Sequence, residues 1–476
     1  MSGSRNAYGW GKRLAAAAVF AALYGAAAAV SEAAPFASFA LLFSLGCLIY
    51  AYFLRGDGHL LTLPGLFGLF WYAGEGIACL KLSRLSAPWV WQTWVSFGLL
   101  WSAFVAGYRL CEAFIEHRRM YAIIPEAQAG VTITGEVRRK PGPTEEEIKA
   151  KTALSERRLR FVIAGLTAAA TLAFVFEAFY VGFVPAFIKD TPHAYSYFHV
   201  SGVHYFTVSC TLVMPLCVLW ALRYGKTASR KSRAVVAVSG VVAVLIPLLI
   251  VSRFFLIMGA GMALLTYLEE RREESLKKTL RLAGLMMLAL IPLYVLLTVF
   301  RAHSVEYLNG IFEMKNERMP IFITQPYMYV ANNYENFNGL VTHLEGHYQY
   351  GLCQAFPLFA LSGLKFVVPE VLSGIGAVGL TKVELTTLTI AYDAYHDFGI
   401  IGVGLFGAAL GVFGAFLESR RLTDDNPAVV LAYAQTAMYL ILSFFTTWFS
   451  NPTTWFWYVL VWLFYWFMKG KGRDKR

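Results

Sequence analysis

The chain has 476 residues, 57% of them hydrophobic and 15% charged, with a mean hydropathy of +0.53; a water-soluble domain carries about 25% charge, so a soluble globule is excluded. The net charge of +11 does not imply nucleic acid, because membrane proteins gather Lys and Arg in cytoplasmic loops whatever they bind. Six cysteines with neither a CxxC pair nor metal-ligand spacing imply neither a disulfide framework nor a zinc site, and read as small core hydrophobes.

Apolar blocks of about bilayer length recur along the chain. The first, an Ala-rich run to Val30, follows Lys12 and Arg13; a signal peptide shares that pattern, and a first span is the favoured reading. Taken in order, the blocks predict twelve transmembrane helices near 14–31, 35–54, 61–80, 88–110, 161–183, 203–222, 234–251, 253–268, 282–300, 397–418, 428–449 and 454–468. The expected fold is all-α, one polytopic membrane bundle over residues 1–476. With both termini cytoplasmic, 32 of the 41 Lys and Arg fall on inside segments and nine outside, as the positive-inside rule requires. Anionic membrane lipids suffice as partners for that inner charge.

Three stretches need separate treatment. The run 234–268 is too long for one ordinary span and has basic flanks at both ends, so it predicts a hairpin of two short helices with Pro247 and Ser252-Arg253 near the turn. The run 352–368 is apolar enough to span, yet counting it would put the basic C-terminal tail outside; it is read as a re-entrant or interfacial segment. Between Arg109 and Arg160 lies a basic cytoplasmic loop, with a helix start expected at Thr144 and Glu145-Glu146-Glu147.

What remains is one large extracytoplasmic loop, 301–396, rich in Tyr and Asn. Its aromatic content argues against disorder. From Gln325 to Tyr350 it interleaves amides and rings, with Tyr327, Asn332, Asn333, Tyr334 and Asn336 as candidate sugar-binding residues. Aromatic faces and amide donors suit a sugar ring, and a Tyr-rich interfacial belt has the same composition. Candidate acids and bases are Glu335, His343, Glu345, His347, Asp393, His396 and Asp397; a base must come within about 3 Å of the hydroxyl it deprotonates. Asp397 also suits an N-cap for a helix opening at Phe398. Arg253, at the hairpin tip, and Arg301, at the end of the ninth predicted span, are costly at membrane depth unless paired or snorkelling. A guanidinium is also the natural ligand of a phosphate, which it grips in bidentate fashion.

The sequence has no Walker loop and no Rossmann GxGxxG following a strand, so a nucleotide site is not indicated. His343 and His347 are spaced i, i+4 without the HExxH order, so no metal is expected. Glu75 and Glu177 lie near the ends of predicted spans and Glu112 just past one, whereas a transporter would place such groups near the bilayer midplane.

The layout of a dozen spans with one large late outer loop resembles the O-antigen polymerase (Wzy-type), or oligosaccharide repeat-unit polymerase, family. Local matches are Gly182-Phe183-Val184-Pro185-Ala186-Phe187 after the fifth span, Ser252-Arg253 at the hairpin tip, and Tyr392 through Asp397-Phe398-Gly399 to Gly402. Where relatives carry an Asn-Thr pair before the last segment, this chain has Lys382 and Thr386-Thr387. The resemblance implies a GT-C-like fold in the cytoplasmic (inner) membrane, with no cofactor and no nucleic acid. It implies polymerisation of undecaprenyl-diphosphate-linked oligosaccharide repeat units into O-antigen, capsule or exopolysaccharide on the outer membrane face, beside flippase and chain-length-regulator partners. Under it Arg253 and Arg301 would bind the diphosphate, and Asp397, His343, His347 or Glu335 would take the acceptor proton. An O-antigen ligase using the same donor, or a transporter or flippase of lipid-linked sugars, are the alternatives.

Overall fold

The computed structural model describes residues 3–129, 145–188, 194–271 and 305–469, with positions 278, 281, 284 and 285. Its helices in chain order are α1 (Gly3–Val30), α2 (Pro35–Asp57), α3 (Leu63–Cys79), α4 (Trp91–Ala129), α5 (Glu145–Val181), α6 (Ala194–Tyr197), α7 (His204–Val208), α8 (Val213–Tyr224), α9 (Arg230–Leu249) and α10 (Arg253–Glu270), then α11 (Val305–Phe312), α12 (Ile321–His343), α13 (Leu352–Ser362), α14 (Tyr392–Thr423), α15 (Pro427–Ile441) and α16 (Pro452–Lys469). No β-strand occurs among the described residues beyond an isolated bridge between Ser83 and Met314. Six helical stretches are long and apolar enough to cross a bilayer, namely Pro35–Gly56, Trp91–Arg118, Lys149–Val181, His204–Tyr224, Arg230–Leu249 and Tyr392–Thr423. This is the architecture of a helical membrane protein. The predicted span 282–300 and Arg301 lie outside the described residues.

Helix ends follow local chemistry. Pro35 and Pro64 open α2 and α3 at positions where the missing N–H costs nothing. Ser229 caps α9, its hydroxyl accepting from the Ser232 N–H at 3.1 Å, and Asn451 does the same for α16, accepting from the Thr453 N–H at 2.9 Å. The described residues of α5 run from Glu145, and the helix start expected at Thr144 lies outside the described residues.

Contacts divide the chain into two compact units. The first gathers Met1–Ala106, His303–Leu410 and Tyr439–Thr454. Here α2 packs along α3, and α3 carries α12. Trp71, Phe97, Tyr334 and Phe337 are fully buried and form the aromatic centre of this unit, with Trp71 and Tyr334 rings 5.2 Å apart and Phe97 and Phe337 rings 4.7 Å apart. The glycine-rich face of the late span is used for close approach: a Cβ on Gly407 would sit 2.5 Å from the Leu100 carbonyl oxygen, so α14 meets α4 backbone to backbone there.

Within the stretch 301–396, expected as one large loop, the chain forms α11, α12 and α13. The 23-residue α12 escapes periodicity because it is buried on several sides: one side packs aromatic rings and another gives amides to irregular chain, so no apolar stripe repeats every 3.6 residues. The α13 segment has 11 residues, bracketed by Gly351 and Gly363 in left-handed geometry. At about 16 Å it is too short to cross a bilayer, which suits the re-entrant or interfacial reading of 352–368. Two further expectations change. Of the 109–160 loop, the described residues 109–129 and 145–160 are helical, in α4 and α5. The 428–449 span stops at Ile441, after which the backbone is irregular except for a 3-10 turn at Trp448–Ser450.

The second unit comprises Gly107–Ala302, Gly411–Met438 and Trp455–Arg476. In it α5, α8 and α9 pack together and α10 lies on α8. The long apolar run 234–268 divides as expected: α9 ends at Leu249, two residues after Pro247, and α10 restarts at Arg253.

Candidate functional site

In the second unit the break between α9 and α10 is tight. Val251 sits at φ 59, a left-handed conformation that a β-branched residue resists, and such strain persists only where the surroundings enforce it. The enforcing contacts come from the turn after α5. Phe183 and Val184 pack against Ile246 and Ile250, and Ala186 packs against Val251 and Leu256. The segments Gly182–Phe187 and Ser252-Arg253, 65 or more residues apart in the sequence, therefore meet in space. Arg253, the first residue of α10, is only 6% exposed.

The same end of this unit holds a buried carboxylate. Glu177 lies one turn before the end of α5 and is fully buried. Its Oε1 accepts the Val200 N–H at 2.9 Å, its Oε2 accepts the Thr207 hydroxyl at 2.6 Å, and His204 Nδ1 lies 3.1 Å from Oε1. An ionised carboxylate only accepts, so the His204 proton stands on Nδ1. The His199 ring is edge-on to His204 with centroids 4.9 Å apart. Sequence reading registered Glu177 only as an acid near a span end and passed over His204; an acid inside an apolar block was the available signal.

In the first unit the Asp397-Phe398-Gly399 segment breaks α14 near its start. Phe398 (φ −144, ψ 20) and Gly399 (φ 62, ψ −147) leave the helical region, and the second conformation is open only to glycine. The broken turn frees the His396 and Asp397 carbonyls, which accept from the N–H groups of Gln349 at 3.0 Å and Tyr350 at 3.1 Å. Asp397, fully buried, does not cap its own helix as expected. It caps α13: Oδ1 accepts the Cys353 N–H at 3.0 Å and Oδ2 the Gln354 N–H at 2.9 Å.

Beside that junction is a cavity of about 290 Å³ whose walls include Phe356, Tyr392, Asp393, His396, Thr447 and Ser450. Asp393 faces the hydroxyls of Thr447 and Ser450, and His396 Nδ1 lies 3.6 Å from Cys353 Sγ. An acid, an imidazole and two hydroxyls against apolar walls form a pocket able to hold a small polyhydroxylated group. Asp393 and His396 stood among seven unranked candidates; their i, i+3 spacing, which puts both on one helix face, was the signal that ranks them.

The remaining candidates fall elsewhere in this unit. Glu335 is buried beneath the loop after α3, its Oε2 accepting the Ala87 N–H at 3.1 Å while Oε1 has no hydrogen-bond partner among the described residues. Loss of hydration raises its carboxyl to about 7, against the pull of the Ala87 N–H and nearby Lys81. His343 and His347 are exposed at the end of α12, the former with Nδ1 2.7 Å from the Gly339 carbonyl. The candidate sugar residues meet the chain itself. Tyr327 accepts the Leu82 N–H at 2.8 Å and Tyr334 donates to the Trp71 carbonyl at 2.8 Å. Asn332 accepts the Thr381 hydroxyl at 2.6 Å. Asn333 donates to the Tyr329 and Phe444 carbonyls at 2.7 and 2.6 Å. Asn336 donates to the Leu385 and Thr387 carbonyls at 2.7 and 3.0 Å and accepts the Thr381 N–H at 2.9 Å. These amides fasten irregular chain to α12. Among the described residues no three His, Cys, Asp or Glu come together as a metal site.

Comparison of the chain with models of known families, with characterised proteins and with solved structures returns no match.

Proposed function

We propose that the chain is a glycosyltransferase of the cytoplasmic membrane that polymerises undecaprenyl-diphosphate-linked oligosaccharide repeat units on the outer membrane face. The observation that carries this reading is the buried Arg253, set directly after a strained helix break on which the Phe183–Ala186 turn packs. A permanently charged guanidinium held out of water is matched to a phosphate oxygen pair, and fixed positive charge at a departing diphosphate is an effective form of transition-state stabilisation. Arg301 is proposed as a second cation on the same leaving group. The acceptor hydroxyl must lose its proton. Of the sequence candidates for that step, Asp397 and Glu335 are engaged with backbone N–H groups of the chain, and His343 and His347 are exposed. The polar cavity at Asp393 and His396 has room for one sugar ring.

Deletion of the gene, followed by electrophoresis of the surface glycan, tests the reading. A ladder that collapses to single-repeat product, and that Arg253→Ala fails to restore although the variant inserts in the membrane, supports polymerisation. Loss of all capped product instead points to a ligase. Accumulation of lipid-linked units facing the cytoplasm points to a flippase, and a full ladder from Arg253→Ala removes the diphosphate assignment.

A further inference from the structure

We infer that His204, oriented by Glu177, is the base that takes the acceptor proton in the Arg253 half of the molecule; this rests on the transfer reading above. Three observations carry it. The Glu177 carboxylate is immobilised by the Val200 N–H, the Thr207 hydroxyl and His204 Nδ1, so the imidazole has one tautomer and one orientation. The His204 side chain is 19% exposed while that of Glu177 is 0% exposed, and Nε2 makes no hydrogen bond to the described residues. A ring nitrogen left unbonded while its neighbour is held by a buried carboxylate is the arrangement that general bases use.

The third observation is place. Glu177 is one turn from Val181, and the chain beyond Val181 turns to pack Phe183, Val184 and Ala186 on the break that precedes Arg253. The 3-10 turn Ser209–Leu212, continuous with α7, packs on α10. Imidazole and guanidinium thus belong to one end of one unit. By contrast, His343 Nδ1 meets the Gly339 carbonyl and the Thr342 hydroxyl, with no carboxylate to orient it.

The step balances as follows. The acceptor O–H proton passes to His204 Nε2 as the acceptor oxygen bonds to the donor's anomeric carbon. The bond from that carbon to the diphosphate oxygen breaks, its electron pair leaving with the diphosphate beside Arg253. His204 then releases its proton to water. Glu177 is a positioning residue: it touches no reacting atom and fixes the tautomer.

The experiment uses the full chain in detergent micelles with lipid-linked oligosaccharide extracted from cells lacking this protein. His204→Ala is expected to lower turnover by about 10²- to 10⁴-fold while retaining the labelled donor as wild type does, and added imidazole is expected to recover part of the rate. Glu177→Gln should lower turnover without changing donor retention. His204→Gln, which keeps a donor toward Glu177, guards against a folding defect and should be equally slow. Wild-type turnover in both His204 variants while Arg253→Ala is inactive overturns the inference and leaves the transfer reading standing. Loss of donor retention without imidazole recovery assigns the pair a structural role and also overturns it. A wild-type chain that elongates nothing removes the transfer reading and this inference together.

Discussion

Asp397 and Cys353, 44 residues apart in the chain, are joined through a 3.0 Å hydrogen bond from the Cys353 N–H to the Asp397 carboxylate. With the second bond, from Gln354, the acid closes the free end of α13 and complements its dipole. The helix break at Phe398-Gly399 aims it there. A sequence element that invites a catalytic reading is, in the fold, the joint between two helices.

For Asp397→Asn we expect a loss of stability of about 1–3 kcal/mol, because one backbone N–H would face an amide donor instead of a carboxylate oxygen. Thermal unfolding in detergent and hydrogen exchange at Cys353 and Gln354 measure it. Unchanged melting together with abolished transfer would return Asp397 to the chemistry.

Glu335 should make stability depend on pH. The folded chain holds its proton up to about 7 rather than 4.5, so between those values the folded state binds more protons than the unfolded state. Stability then falls as pH rises through this window, and above it the full penalty is on the order of 3 kcal/mol. Glu335→Gln keeps an acceptor for the Ala87 N–H and carries no charge. It is expected to raise the melting temperature at about pH 8.5 and to leave it nearly unchanged at about pH 4. An equal shift at both values would mean that ionisation is not the cause.

Asn336 tests whether the amides of α12 serve the fold or a ligand. Asn336→Leu would orphan the Thr381 N–H and the Thr387 carbonyl and leave the Leu385 carbonyl to Asn332 alone, at 3.4 Å, at about 1–3 kcal/mol for an unsatisfied buried group. Protease cleavage and hydrogen exchange across residues 381–387 should accelerate. Weakened sugar binding with no change in exchange would restore the ligand role.

Much of the outline is legible in one dimension. Composition and block length dictate a helical membrane protein, since only internally bonded helices can carry this much apolar backbone through lipid. Pro247 with the basic flanks located the α9–α10 break. The interior of 301–396 was not legible. The side chains of α12 are polar toward the loops they fasten and aromatic toward α3, a pattern with no single helical period. The role of Asp397 depended on a partner in another helix, and so did the orientation of His204 by Glu177.

The sequence by itself determined where this chain is apolar and in which segments its positive charge gathers, and therefore that it is a helical membrane protein. Tertiary structure alone decided which polar groups are committed to the fold and which stay open. A side chain's hydrogen-bond partners lie tens to hundreds of residues away, and burial, not residue type, decides whether a carboxylate caps a helix, aims an imidazole or holds a proton.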